Sequence, residues 1–157
     1  MLQETLAKHA FTAGLSEPQL VKLATLAHEV TFQEDQPILK AGQRSDSFYL
    51  LLSGSVCVEI VTRAYSVRIQ SLGPGDAFGW SALLERHDTL FQVRAREASA
   101  ALYFDGSNLS AAFRDDPLLA AELLRRVLKV AADRVQAIES TLGEFCGMRI
   151  SKGSCLP

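Results

Sequence analysis

Three textures of apolar and polar positions follow one another along the chain. Over residues 2–28 the apolar positions recur at helical spacing. Leu20, Leu23, Ala24 and Ala27 share one face, Ser16 stands as an N-cap with Glu17 behind it, and Pro18 falls in the first turn. This predicts a helix, a turn closed at Leu15, and a second helix. From Glu29 to Phe104 the period drops to two. Val56, Val58 and Ile60 alternate with Cys57, Glu59 and Val61, and Val67 and Ile69 alternate with Arg68 and Gln70, the pattern of paired, half-buried antiparallel strands. Strands are predicted at 29–32, 37–40, 47–52, 55–61, 65–72, 91–96 and 100–104, with a short one stopping at Phe78-Gly79. Gln36-Pro37, Ala41-Gly42, Ser53-Gly54, Arg63-Ala64 and Gly73-Pro74-Gly75-Asp76 punctuate them. Such short, closely spaced strands predict a barrel, roll or sandwich rather than a βαβ sheet.

After Asp105 the helical period returns. Ser107 is expected to cap a short helix through Ala111 and Ala112, and Asp116-Pro117 opens a much longer one. There Ala121, Leu124, Leu128, Ala131, Val135, Ile138, Leu142 and Phe145 alternate spacings of three and four, the seam of a coiled coil. Leu119, Leu123, Val127 and Val130 form a second set suited to packing on the β-body, and Glu122, Arg125, Arg126, Lys129, Asp133, Arg134 and Glu139 take the remaining faces. The seam outruns what a small barrel covers. It is therefore expected to face a second copy of the chain, with Leu124, Leu128, Ala131, Val135, Ile138, Leu142 and Phe145 as the dimer contacts. Gly143 and Gly147 are expected to end the helix. The organisation predicted is a β-rich body with a helical start over 1–115, a dimerisation helix over 116–147, and a flexible tail over 148–157.

Composition narrows function by exclusion. The 157 residues are enough to bury a core without a disulfide or metal staple. Sixteen Lys+Arg against eighteen Asp+Glu, a net charge of −2, leave no basic field to hold a phosphate backbone, so non-specific nucleic-acid binding is not expected. The N-terminal stretch holds Glu4, Lys8 and His9 and lacks the apolar run of a signal peptide, and no run approaches the ~20 residues of a membrane span. Cys57, Cys146 and Cys155 are odd in number and dispersed, which predicts unpaired thiols in a reducing cytoplasm and no metal site. Neither HExxH, P-loop, Ser/His/Asp grouping nor paired-carboxylate cluster occurs, so no enzyme is expected.

The order of elements, together with Ile38-Leu39-Lys40-Ala41-Gly42, Phe48-Tyr49-Leu50-Leu51-Leu52-Ser53-Gly54-Ser55-Val56, Leu72-Gly73-Pro74-Gly75-Asp76-Ala77-Phe78-Gly79 and Ala82-Leu83-Leu84, resembles the cyclic-nucleotide-binding domain family. This is the β-roll regulatory module of the catabolite activator protein group, cyclic-nucleotide-dependent kinases and gated channels. The resemblance covers about residues 11–140 and implies an α+β fold: an antiparallel β-roll or jelly-roll barrel flanked by N-terminal helices and a long C-terminal helix. It also implies a phosphate-binding cassette after Gly79, where helix N-terminal amides face a cyclic phosphate.

The chain departs from the family at the residues that hold the ligand. The family pattern reads roughly F-G-E-[L/I]-A-L, then P-R-[A/S]-A-x-V, its Glu holding the ribose and its Arg the phosphate. Here Trp80 takes the Glu position, and ungapped counting to Val93 puts Asp88-Thr89-Leu90-Phe91 at Pro-Arg-[Ala/Ser]-Ala, with Thr89 in place of the Arg. Phe78, Gly79, Trp80, Ser81, Ala82, Leu83, Thr89, Leu90 and Phe91 are thus the candidate pocket, with Trp80, Leu83, Leu90 and Phe91 lining or plugging it. A buried phosphate without its counter-charge is costly, so family-typical cyclic AMP binding is disfavoured and no cofactor is expected. Arg86 and His87 are candidate substitute contacts, whereas Arg94 and Arg96 read as solvated strand arginines. Three functions stay open: a regulatory module with a degenerate pocket and a non-standard ligand, a cyclic AMP or cyclic GMP receptor using Arg86 and backbone amides, and a scaffold for a protein partner with a plugged pocket. In the transcription-factor branch a helix-turn-helix follows the long helix; with the sequence stopping at Pro157, no direct DNA reading is expected.

Overall fold

The structure, a computed structural model, describes residues 1–84 and 90–147. Helix α1 (Leu2–Lys8), a 3-10 turn (Ala10–Thr12) and α2 (Glu17–Leu26) lead into eight strands: β1 (Ala27–Phe32), β2 (Pro37–Leu39), β3 (Ser47–Ser53), β4 (Val56–Val61), β5 (Ser66–Leu72), β6 (Ala77–Phe78), β7 (Phe91–Ala95) and β8 (Ser99–Asp105). A four-residue 3-10 helix (Trp80–Leu83) follows β6, and α3 (Gly106–Asp115) and α4 (Pro117–Phe145) complete the described chain. The strands form two antiparallel four-stranded sheets, β1-β8-β3-β6 and β2-β7-β4-β5, which is the expected α+β roll with flanking helices.

The central strands β3 and β8 of the first sheet contribute buried side chains to both faces, whereas edge strand β1 exposes His28, Glu29 and Thr31. Phe48 and Leu50 of β3 and Leu102 and Phe104 of β8 meet Phe11, Leu20, Leu23, Leu109, Leu119, Leu123 and Val127 of the helices. On the other face Leu51 and Ala101 join Val56, Val58, Phe78, Val93 and Ala95 between the sheets. Burying a large aliphatic side chain contributes about 1.5–3 kcal/mol, so these two clusters supply most of what opposes chain entropy. His9, 5% exposed, ties the helical start to the roll. Its Nδ1 accepts from the Phe11 N–H at 3.1 Å, which leaves a proton on Nε2 to donate to the Leu51 carbonyl at 2.9 Å.

Several predicted boundaries shift for identifiable reasons. Ala27 opens β1 opposite Phe104 instead of continuing the helical face, because strand pairing supplies hydrogen bonds that one more helical residue would not. The N-cap of α3 is Asp105 and not Ser107: its Oδ1 accepts from the Asn108 N–H at 3.0 Å. Asp116 caps α4 as expected, accepting from the Leu119 N–H at 3.0 Å. Helix α4 runs through Gly143 and ends after Phe145, with Gly147 at φ +66°. The predicted tail at 148–157 lies outside the described residues, apart from which the seam residues Leu124, Leu128, Val135, Leu142 and Phe145 stand exposed along α4. Ala131 and Ile138 are half-buried.

Candidate functional site

The pocket begins with a turn. In Gly73–Asp76 the Asp76 Oδ2 accepts from the Gly73 N–H at 2.8 Å, and Leu51 exchanges backbone hydrogen bonds with Asp76 and Gly75 at 2.9 and 3.0 Å. This pins β6 to β3, where the Phe78 ring stacks on Tyr49 with centroids 4.8 Å apart. Gly79 then turns the chain at φ +81°, and a Cβ there would lie 2.5 Å from the Ser47 carbonyl oxygen. Only glycine fits both the left-handed backbone and this approach. The turn delivers Trp80 and Ser81 to the wall of a cavity of about 340 Å³.

Among the described residues, four parts of the chain enclose that cavity. Ile38, Leu39 and Lys40 come from β2 and its end, and Gln43, Arg44 and Ser45 from the link to β3. Gly79, Trp80, Ser81 and Leu84 form the second part, Phe91 and Val93 of β7 the third, and Arg134 of α4 the fourth. Of the predicted pocket residues, Gly79, Trp80, Ser81 and Phe91 therefore lie on the wall. Phe78 does not: it is fully buried between the sheets. Leu83 packs against the helical core, and Ala82 sits where its carbonyl closes on Gly106 at the start of α3. Leu90 is 69% exposed and off the described lining, since a side chain at the edge of β7 turns outward more cheaply than it fills a cavity already bounded by Phe91. Thr89, Arg86 and His87 lie outside the described residues.

Two arginines differ from expectation. Arg94 is not simply solvated: its Nε donates to Glu59 Oε1 at 3.1 Å and its Nη1 to the Asp35 carbonyl at 3.1 Å, whereas Arg96 is exposed. Arg134, placed by its sequence on a remaining face of the helix, is 6% exposed and reaches the cavity wall. Its Nε donates to Gln70 Oε1 at 2.9 Å, and its guanidinium lies 5.1 Å from the centroid of the Phe91 ring. Burial lowers its pKa to about 10, so it remains a cation at neutral pH. The signal was present in the spacing. Leu119, Leu123, Val127 and Val130 point inward, and one more step of four arrives at Arg134.

No group of three or more metal-ligating side chains occurs among the described residues, and none of the described helices is long and apolar enough to cross a membrane. The model of the cyclic nucleotide-binding domain family matches residues 29–116, more than half of the chain. The chain belongs to the cyclic nucleotide-binding domain family, a regulatory class, and carries its fold.

Solved structures share this fold. A putative cyclic nucleotide-binding protein from Geobacter metallireducens GS-15 superimposes with a TM-score of 0.73 at 25% identity, over 86% of this chain and 98% of that one. A triple mutant of the regulatory subunit of a cAMP-independent protein kinase A from Trypanosoma brucei, bound to cAMP, superimposes with a TM-score of 0.70 at 21% identity, over 88% of this chain and 49% of that one. Glutaminase 1 of Bradyrhizobium diazoefficiens is 32% identical over 133 residues, 83% of this chain and 21% of that protein. The chain spans about a fifth of the length of the curated relatives it matches.

Proposed function

We propose that this chain is a non-enzymatic sensor module whose pocket has left cyclic AMP behind, and that it pairs with a second copy of itself through α4. The observation that carries the reading is Trp80. It stands on the cavity wall at the position where the family resemblance calls for a ribose-binding carboxylate, and no acid lines the cavity among the described residues. The loss of Arg at Thr89 removes the second contact, the counter-charge for the phosphate. The trypanosomal structure offers a parallel: the mutant of that cAMP-independent subunit that is bound to cAMP includes a change of threonine to arginine. The exposed stripe from Leu124 to Phe145 supports pairing, because a seam of large apolar side chains at alternating spacings of three and four is the geometry of a helix–helix interface. Buried Cys57 and exposed Cys146 are both free thiols, which fits a cytoplasmic module.

Isothermal titration with cyclic AMP and cyclic GMP tests the pocket. The unmodified chain is expected to bind neither below millimolar concentration, and Trp80→Glu with Thr89→Arg to gain at least ten-fold in affinity for one of them. Micromolar binding by the unmodified chain would overturn the reading. For the pairing, sedimentation of Leu128→Asp with Ile138→Asp is expected to give half the mass of the parent. An unchanged mass would show that the seam does not join two copies.

A further inference from the structure

The charges on the cavity wall have one sign. Among the described residues it carries Lys40, Arg44 and Arg134 and no carboxylate. The first two sit at the mouth: Lys40 is exposed, and Arg44 Nε is already 2.8 Å from Asp46 Oδ1. Arg134 is 6% exposed and, among the described residues, has no acid beside it. Among the described residues it makes no ion pair, its one hydrogen bond is the Nε–H to Gln70, and its two Nη groups have no acceptor.

A buried guanidinium in that state costs folding free energy; burial lowers its pKa, and among the described residues no anion stands beside it to oppose that. Helix propensity does not require arginine there, since Leu or Met would serve as well. What arginine adds is a planar fork whose free end presents two parallel donors, the geometry that receives a carboxylate. The ring of Phe91 beneath the guanidinium and the Gln70 acceptor at Nε fix that fork in one orientation before any ligand arrives.

The rest of the wall defines the body of the ligand. Ile38, Leu39, Leu84 and Val93 are aliphatic and Trp80 and Phe91 aromatic, with Gln43, Ser45 and Ser81 as the uncharged polar positions. The volume of about 340 Å³ is near the lower end of the roughly 300–1,000 Å³ typical of ligand pockets. One buried cation balances one negative charge; a second would be left uncompensated in an apolar site.

We propose that this cavity binds a small organic carboxylate with an apolar, ring-sized body, held end-on by Nη1 and Nη2 of Arg134. The proposal rests on the pocket having abandoned the family's phosphate contact, and it moves the anion from the cassette to the terminal helix.

Isothermal titration of the full chain with benzoate, phenylacetate and octanoate, each against its primary amide, tests it. At least one acid is expected to bind ten-fold or more tightly than its amide. Arg134→Met is expected to weaken that acid by about 30-fold or more, the scale of removing one partner from a buried charge pair, while Arg134→Lys keeps part of the affinity. The proposal is overturned if no acid binds below millimolar concentration, if acids and amides bind alike, or if the preference survives in Arg134→Met. Should Arg134→Met fail to fold, the acid–amide comparison on the unmodified chain decides. Cyclic AMP in the same series keeps the two ideas separable. Its micromolar binding would sink the degenerate-pocket reading, whereas the acid–amide difference and its loss in Arg134→Met judge the role of Arg134.

Discussion

His9 and Arg134 are two buried bases in different halves of the molecule, and their surroundings contrast at every point. His9 is 5% exposed in the closed half, where helices cover the first sheet, and both of its ring nitrogens have backbone partners. Arg134 is 6% exposed in the open half, where α4 passes over the cavity, and among the described residues it has one hydrogen bond and one aromatic contact. A buried polar group with every hydrogen-bonding site satisfied belongs to the architecture. One with both Nη groups unpaired beside a cavity is arranged for something that arrives later. The same contrast runs along α4, whose inward face carries Leu119, Leu123 and Val127 where the wall is solid and Arg134 where it opens.

The sharpest way to break the comparison is to truncate one inward position from each half. Leu123→Ala leaves a cavity among Phe48, Leu50 and Phe104 and is expected to cost about 2–5 kcal/mol in chemical denaturation. Arg134→Met removes an uncompensated buried charge and is expected to leave stability unchanged or raise it. A comparable loss at both positions would end the distinction.

A second test exploits protonation. His9 is held neutral, its pKa pushed below 6.5 chiefly by burial. As pH falls below 6.5 the unfolded chain takes up a proton that the native chain refuses, so stability drops from there down to the native pKa. The melting temperature is expected to decline as pH falls below about 6.5, and His9→Gln to decline less. The smallest effect belongs to the start of α4. Asp116→Ala removes the carboxylate that accepts from the Leu119 N–H and is expected to cost about 1 kcal/mol by the same denaturation measurement.

Most of the fold was legible because it rests on local signals. The β-prone run at Val56–Ile60, the glycine-bearing turns and the Asp116-Pro117 start each depend on a few neighbouring residues, and the strands appear within one or two residues of where the pattern puts them. Strand β4 is not half-buried, however: Cys57 and Glu59 are buried along with Val56 and Val58. The misplacements at Ala27 and Ser107 arose where a tertiary partner or a nearby competing cap decided the boundary. The pocket was half legible. Gly79, Trp80, Ser81 and Phe91 reach its wall, yet Leu90 turns out to solvent and Arg134 comes in from 54 positions beyond Trp80. Charge type suggested an outward arginine, and only the four-residue step from Val130 argued otherwise. Polarity says where a side chain prefers to be; register says where its backbone puts it.

Gly79 and Trp80, adjacent on the cavity wall, show how differently two neighbours are constrained. Any side chain at 79 collides with the Ser47 carbonyl, so that position is fixed by the scaffold whatever the pocket holds. Position 80 is non-glycine, and its side chain, packed partly against the helical core, also reaches the cavity wall. The roll can therefore exchange one small molecule for another by rewriting a few wall residues while the turn that delivers them stays as it is. A family with such a site can diversify its signals without rebuilding its frame.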